Sequence, residues 1–92
     1  MPTVSWFYGI AIRMYFDDHA PPHFHALHGG DMALVEIATG EVIRGTLRSA
    51  ERRRVKRWTA LHTTELMENW KRSRTGGSVV LARIPGLDKD DA

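Results

Sequence analysis

Cysteine is absent from the 92 residues. That excludes a disulfide framework, a thiolate zinc site and a cysteine nucleophile, and makes the reducing cytoplasm the default expectation. Long apolar runs are missing too, since none approaches the roughly 18–20 residues needed to span a bilayer. The opening residues Met1-Pro2-Thr3-Val4-Ser5-Trp6 carry neither the basic stretch nor the small-residue cleavage site of a secretory signal. There is no repeat, linker or low-complexity segment, and a second domain would fall below the size at which a core sustains itself. One soluble, cytoplasmic domain over 1–92 is expected, with no membrane contact.

The chain does have the composition of a packed globule, with 42% hydrophobic and 9% aromatic residues. A domain of this length buries only about 60–65% of its unfolded surface, so its stability margin is thin. The formal charge is +2, unevenly distributed. Arg44, Arg48, Arg52, Arg53, Arg54, Lys56 and Arg57 supply seven of the thirteen basic residues, while Asp88, Asp90 and Asp91 close the sequence. Such asymmetry permits contact with a polyanion without demanding it.

Residues 7–16 alternate with period two: Tyr8, Ile10, Ile12, Met14 and Phe16 are apolar, which predicts one strand with a buried and an open face. Asp17 through Pro22 is turn chemistry, because each proline fixes φ and lacks an amide donor. A short strand over 23–27 ends at Gly29-Gly30. Segments 32–38 and 41–47 flank Thr39-Gly40, a hairpin with glycine at a left-handed position. Ser49 is the expected N-cap of a helix running to about residue 73. At about 100° per residue, Val55, Trp58, Thr59, His62, Leu66 and Trp70 share one stripe. Arg53, Arg54, Lys56 and Arg57 lie opposite, and Thr59, Thr63 and Thr64 point to a break near residue 62. Thr75-Gly76-Gly77 stops the helix, and 78–84 reads as an edge strand before Pro85. The expected fold is α+β: a small antiparallel sheet of four to five strands, one face covered by the long helix of the C-terminal half.

His19, His23, His25 and His28 fall within ten residues, beside Asp17 and Asp18. On a strand His23 and His25 share one face, and Phe24 turns to the other. If this strand pairs antiparallel with the first, placing Phe24 in the core puts His23 and His25 on the open face with Arg13 and Tyr15. His23 then lies near Tyr15 and His25 near Arg13, with Asp18 and His19 at the rim.

Three chemistries fit this cluster. His-x-His on a strand can chelate a divalent metal, with His19 or an aspartate as third ligand, although Arg13 repels a cation. Alternatively, two imidazoles divide the general acid and base roles on a phosphodiester while Arg13 stabilises the phosphoryl charge, a metal-free ribonuclease without cofactor. The third reading is structural or partner-binding, with Asp18 and His19 capping the turn. His62, mid-stripe, reads as a satisfied core histidine, and Trp58 and Trp70 as core anchors. Arg52, Arg53, Arg54, Lys56 and Arg57 read as a solvated helix face or a nucleic-acid contact, since arginine forks match phosphate oxygens.

The stretch Pro2-Thr3-Val4, Phe7-Tyr8-Gly9-Ile10, Ile12, Met14-Tyr15, Asp18-His19 and Pro21-Pro22-His23-Phe24-His25-Ala26 resembles a widespread family of small prokaryotic proteins labelled as a domain of unknown function. The likeness runs on through Val42-Ile43, Trp58 and Asn69-Trp70. The resemblance implies a genetic context rather than a reaction: members are predicted toxins of toxin–antitoxin pairs, neutralised by a cognate antitoxin. Its motif positions are Asp18, His19, Pro21, Pro22, His23 and His25, whereas the run from Glu51 to Arg57 is more basic than the family pattern. The leading expectation is a toxin that cleaves RNA through His23, His25, Arg13, Tyr15, His19 and Asp18. A non-enzymatic protein- or nucleic-acid-binding module and a divalent metal-binding protein are the alternatives.

Overall fold

The computed structural model describes residues 2–16, 18–75 and 80–91. Its elements are β1 (Thr3–Phe7), β2 (Ile10–Arg13), β3 (His23–His28), β4 (Asp31–Glu36), β5 (Val42–Gly45), α1 (Ser49–Leu61), α2 (Thr63–Ser73) and α3 (Leu87–Asp90). The strands form one antiparallel sheet in chain order, β1-β2-β3-β4-β5. The fold is α+β, as the sequence predicts. No helix among the described residues is long and apolar enough to cross a membrane.

The single strand expected over 7–16 is in fact a hairpin. Tyr8 (φ 49°) and Gly9 (φ 77°) turn the chain with two consecutive positive φ values, the primed geometry whose twist suits flanking strands. Tyr8 and Phe16 therefore leave the expected apolar stripe and are exposed, while Ile10, Ile12 and Met14 remain buried. Gly40 at φ 70° occupies the left-handed position anticipated for the β4–β5 connection.

Cross-strand partners share a face. Phe7 pairs with Ile10, Ile12 with Ala26, Ala26 with Ala33 and Phe24 with Val35, so these residues build the buried side. Trp58 of α1 seals it, its ring centroid 5.1 Å from that of Phe7 and 5.6 Å from that of Phe24 in an edge-on contact.

The helical stripe is buried at Val55, Trp58, Thr59, His62, Leu66 and Trp70, and Arg53, Arg54, Lys56 and Arg57 are exposed opposite. The anticipated break lies at His62 (φ −126°, ψ 24°), between α1 and α2. Two hydroxyls flank it: Thr59 Oγ1 donates to the Val55 carbonyl (2.7 Å) and Thr63 Oγ1 to that of Thr59 (2.8 Å), local bonds that compete with the helical ladder. Ser49 is not the cap; Arg48 is, without a side-chain hydrogen bond.

The expected edge strand over 78–84 is also corrected. Residues 76–79 lie outside the described residues, and 80–86 form no strand. The side-chain amide of Asn69 donates to the Ala82 carbonyl (2.8 Å) and accepts from its N–H (2.9 Å), and one backbone bond, Ile84 N–H to the Val4 carbonyl (2.8 Å), ties the segment to β1. Trp58 Nε1 donates to the Pro85 carbonyl at 2.8 Å.

Candidate functional site

The face of the sheet opposite Trp58 carries the histidines. Arg13 stands directly opposite His25, as the parity of β2 and β3 requires, and Phe24 is buried on the other side. The face is less open than expected. His23 is only 4% exposed, because Trp70 of α2 lies against it at 5.4 Å between ring centroids. Arg74 stacks over Trp70 and donates to the Asp18 carbonyl. The end of α2 thereby pins the loop that carries Asp18.

Asp18 is the hub of the cluster, not its rim. Its Oδ2 lies 2.9 Å from His23 Nε2 and 3.4 Å from His25 Nε2. The other nitrogen of His23, Nδ1, is 2.7 Å from the Pro21 carbonyl. A carbonyl only accepts, so Nδ1 carries a proton, and the tautomer with this single N–H turns the Nε2 lone pair toward the carboxylate. That Nε2 is buried and has no hydrogen-bond partner among the described residues, although Oδ2 is so close. The oxygen lies off the line along which an N–H would donate.

The offset and the spacing of these atoms are those of ligands that could share one ion. Ligands about 2.0–2.2 Å from a metal, at angles between square and tetrahedral, stand about 2.9–3.5 Å from one another. Asp18, His23 and His25 offer one ligand atom each, all within 4.8 Å of one another. The His23 Nδ1–H bond to a backbone carbonyl is the outer contact that orients metal-binding imidazoles.

The protonation states suit ligands. Burial raises the Asp18 pKa, but hydrogen bonds from His25 and the His19 N–H, together with the field of His23, outweigh it and hold the carboxyl below its usual range. Burial lowers the His25 pKa, and His23 lowers it further against the pull of Asp18. An ionised carboxylate beside a neutral imidazole results at neutral pH.

Of the other expected site residues, Tyr15 presents its ring edge-on to His25 at 4.3 Å. His19 stays at the rim, its side chain 93% exposed and its Nδ1 3.5 Å from the other Asp18 carboxylate oxygen, Oδ1. Asp17 lies outside the described residues. The basic run is placed elsewhere and partly neutralised: Lys56 pairs with Glu41 (2.8 Å), Arg57 with Asp91 (2.5 Å) and Arg54 with Glu51 (3.7 Å). Arg52 and Arg53 line a shallow groove with Glu41, Val42 and Lys56.

A family model described as a domain of unknown function (DUF4160) matches residues 9–71. The chain belongs to this family. No curated protein and no solved structure matches it. The DUF4160 span holds Arg13, Asp18, His23, His25 and Trp70, and ends before Arg74 and the pinned segment 80–86.

Sequence reasoning missed Arg44. His25 pairs with Leu34 and Leu34 with Arg44, so Arg13, His25, Leu34 and Arg44 form one row across four strands on the histidine face. Strict alternation carried on from Val35–Val42 would set Ile43 opposite Leu34; the irregularity between Leu34 and Val35 puts Arg44 there instead, which the sequence pattern does not announce.

Proposed function

We propose that this chain is a divalent metal-binding protein whose centre is Asp18, His23 and His25. The observation that carries the reading is the buried His23 Nε2, which lacks a hydrogen bond among the described residues yet lies 2.9 Å from a carboxylate oxygen. Three ligands of this type leave open positions on the ion, the arrangement of a centre that binds or polarises a further ligand. Calorimetric titration with zinc, manganese and nickel tests it. Saturable uptake of one ion per chain is expected, weakened more than about tenfold in Asp18→Asn and His25→Ala. Neither change opens a deep cavity, and circular dichroism checks the fold. Absence of uptake by the wild type, or undiminished uptake by both variants, refutes the metal centre.

A second reading keeps the expected toxin role with metal-free RNA cleavage, and the low pKa of His25 beside Arg13 favours it. His25 then acts as general base, oriented by Asp18, and a cognate antitoxin silences the protein. Expression of the chain alone should slow bacterial growth, and Asp18→Asn at matched abundance should relieve the effect. RNA cleavage that persists in excess chelator selects this second reading over the first.

A further inference from the structure

We propose that the ligand of the metal centre is a phosphate ester, its oxygens shared between the ion and the guanidinium groups of Arg13 and Arg44. The inference rests on the metal reading above and adds the class of ligand. The first support is the charge of the site. Asp18 is the one carboxylate among the described residues that joins the ligand group, and Glu36, opposite His23, already accepts from Thr39 Oγ1 at 2.9 Å. A divalent ion held by one carboxylate and two neutral imidazoles keeps a net positive charge, before either arginine is counted. Cations gathered at a partly buried site require an anion. The repulsion between Arg13 and a metal therefore becomes an argument for what sits between them.

The second support is direction. Arg13 is the immediate cross-strand neighbour of His25 on one side, and Arg44 lies two strands away on the other, about 10 Å across the sheet. An arginine side chain bridges most of that gap, and Arg44 lines the cavity beside His23, so His25 has an arginine on either side of it in the row. A planar carboxylate offers two oxygens in one plane, whereas tetrahedral phosphate offers oxygens in each direction, with fork geometry that arginine matches. Arg13 Nε is itself buried and without a hydrogen-bond partner among the described residues.

The third support is space. A cavity of about 280 Å³ opens beside His23, lined among others by His19, Leu34, Ile43 and Arg44. It approaches the roughly 300–1,000 Å³ of small-molecule sites and leaves room for the organic part of an ester next to the half-exposed Ile43.

Titration of the manganese-loaded full chain with a nucleoside monophosphate and, separately, with acetate tests the proposal. The phosphate should bind at least about tenfold tighter than acetate. Arg44→Ala should lose about tenfold or more in phosphate affinity while taking up manganese as the wild type does, because Arg44 is exposed on β5 and is no ligand. Arg44→Lys should restore only part of it, keeping charge without the fork. A dinucleotide measured alongside distinguishes monoester from diester, either of which supports the proposal. Equal affinity for phosphate and acetate, or an unchanged Arg44→Ala, overturns the phosphate inference and leaves the metal centre standing. Phosphate bound equally tightly without manganese refutes sharing with the ion. A wild type that takes up no metal removes both.

Discussion

Pro21, His23 and Asp18 show how three residues fix one another. The Pro21 carbonyl selects the tautomer of His23, and the tautomer turns a lone pair toward Asp18. Arg74 completes this set from outside, with a guanidinium donating to the Asp18 carbonyl and stacking on Trp70, which in turn packs against His23. Arg74 touches no ligand atom of the proposed metal centre, so in that reading it acts as a positioning residue. Arg74→Ala should weaken metal binding by about tenfold, the scale of lost outer contacts. Because Arg74 is exposed, the global stability should fall by no more than about 1 kcal/mol. Arg74→Lys should recover little, since an ammonium does not stack on the indole as a planar guanidinium does. Calorimetry and urea unfolding on the same preparations separate the two effects. Equal losses in affinity and stability would make Arg74 merely structural.

Among the elements, the β1–β2 hairpin depends on one unusual turn. Gly9 at φ 77° is where an L side chain costs about 1–2 kcal/mol. Gly9→Ala should lower the unfolding free energy by that amount, read from the urea midpoint at constant slope. A loss below a few tenths of a kcal/mol would mean the turn relaxes into another geometry. This turn also marks where local sequence stopped being legible. Apolar residues at even positions run from Tyr8 to Phe16, and a tyrosine at positive φ is foreign to turn propensities, so period two masked the reversal. Phe7, apolar at the wrong parity, was the available signal. By contrast the β2–β3 register was readable, because a one-residue slip would have exchanged Phe24 for two histidines in the core. The helix break was readable from its threonines. Residues 80–86 were not, since the Asn69 amide holds Ala82, the Trp58 indole holds Pro85 and, among the described residues, only the Ile84 N–H bonds to a strand, at the Val4 carbonyl of β1. Alternation says nothing about whether a ladder or side chains supply the hydrogen bonds. The candidate site was legible to the same depth: parity placed His23, His25 and Arg13 together, but not the loop entry that carries Asp18 inward or the α2 contact that buries His23.

Across the whole molecule, the acidic residues near the end of the chain prove to be tethers. Asp91 accepts from Tyr8 Oη (2.9 Å) and from Arg57. Asp90 lies 2.9 Å from His62 Nε2, while Glu65 lies 2.5 Å from Nδ1. Much of the charge asymmetry of the sequence is thus spent inside the fold, drawing α3 to the helix break. His62, with a carboxylate at each nitrogen, is a donor on both sides only when protonated. Burial lowers its pKa, but the bonds to Glu65 and Asp90 outweigh burial and raise it above the ordinary 6.5. A folded-state pKa raised above the unfolded value stabilises fully below about pH 6.5, and the contribution fades as pH climbs through the folded value. His25, whose pKa is lowered, acts in the opposite sense and loses stability as pH falls, so the wild-type profile alone mixes the two. The difference between wild type and His62→Gln isolates the tether. Urea unfolding should show that difference largest near pH 6 and shrinking toward pH 9, as wild-type His62 gives up its second proton. A gap that stays constant across this range would mean His62 is neutral in the folded protein, and that α3 is held by packing of Leu87 rather than by charge.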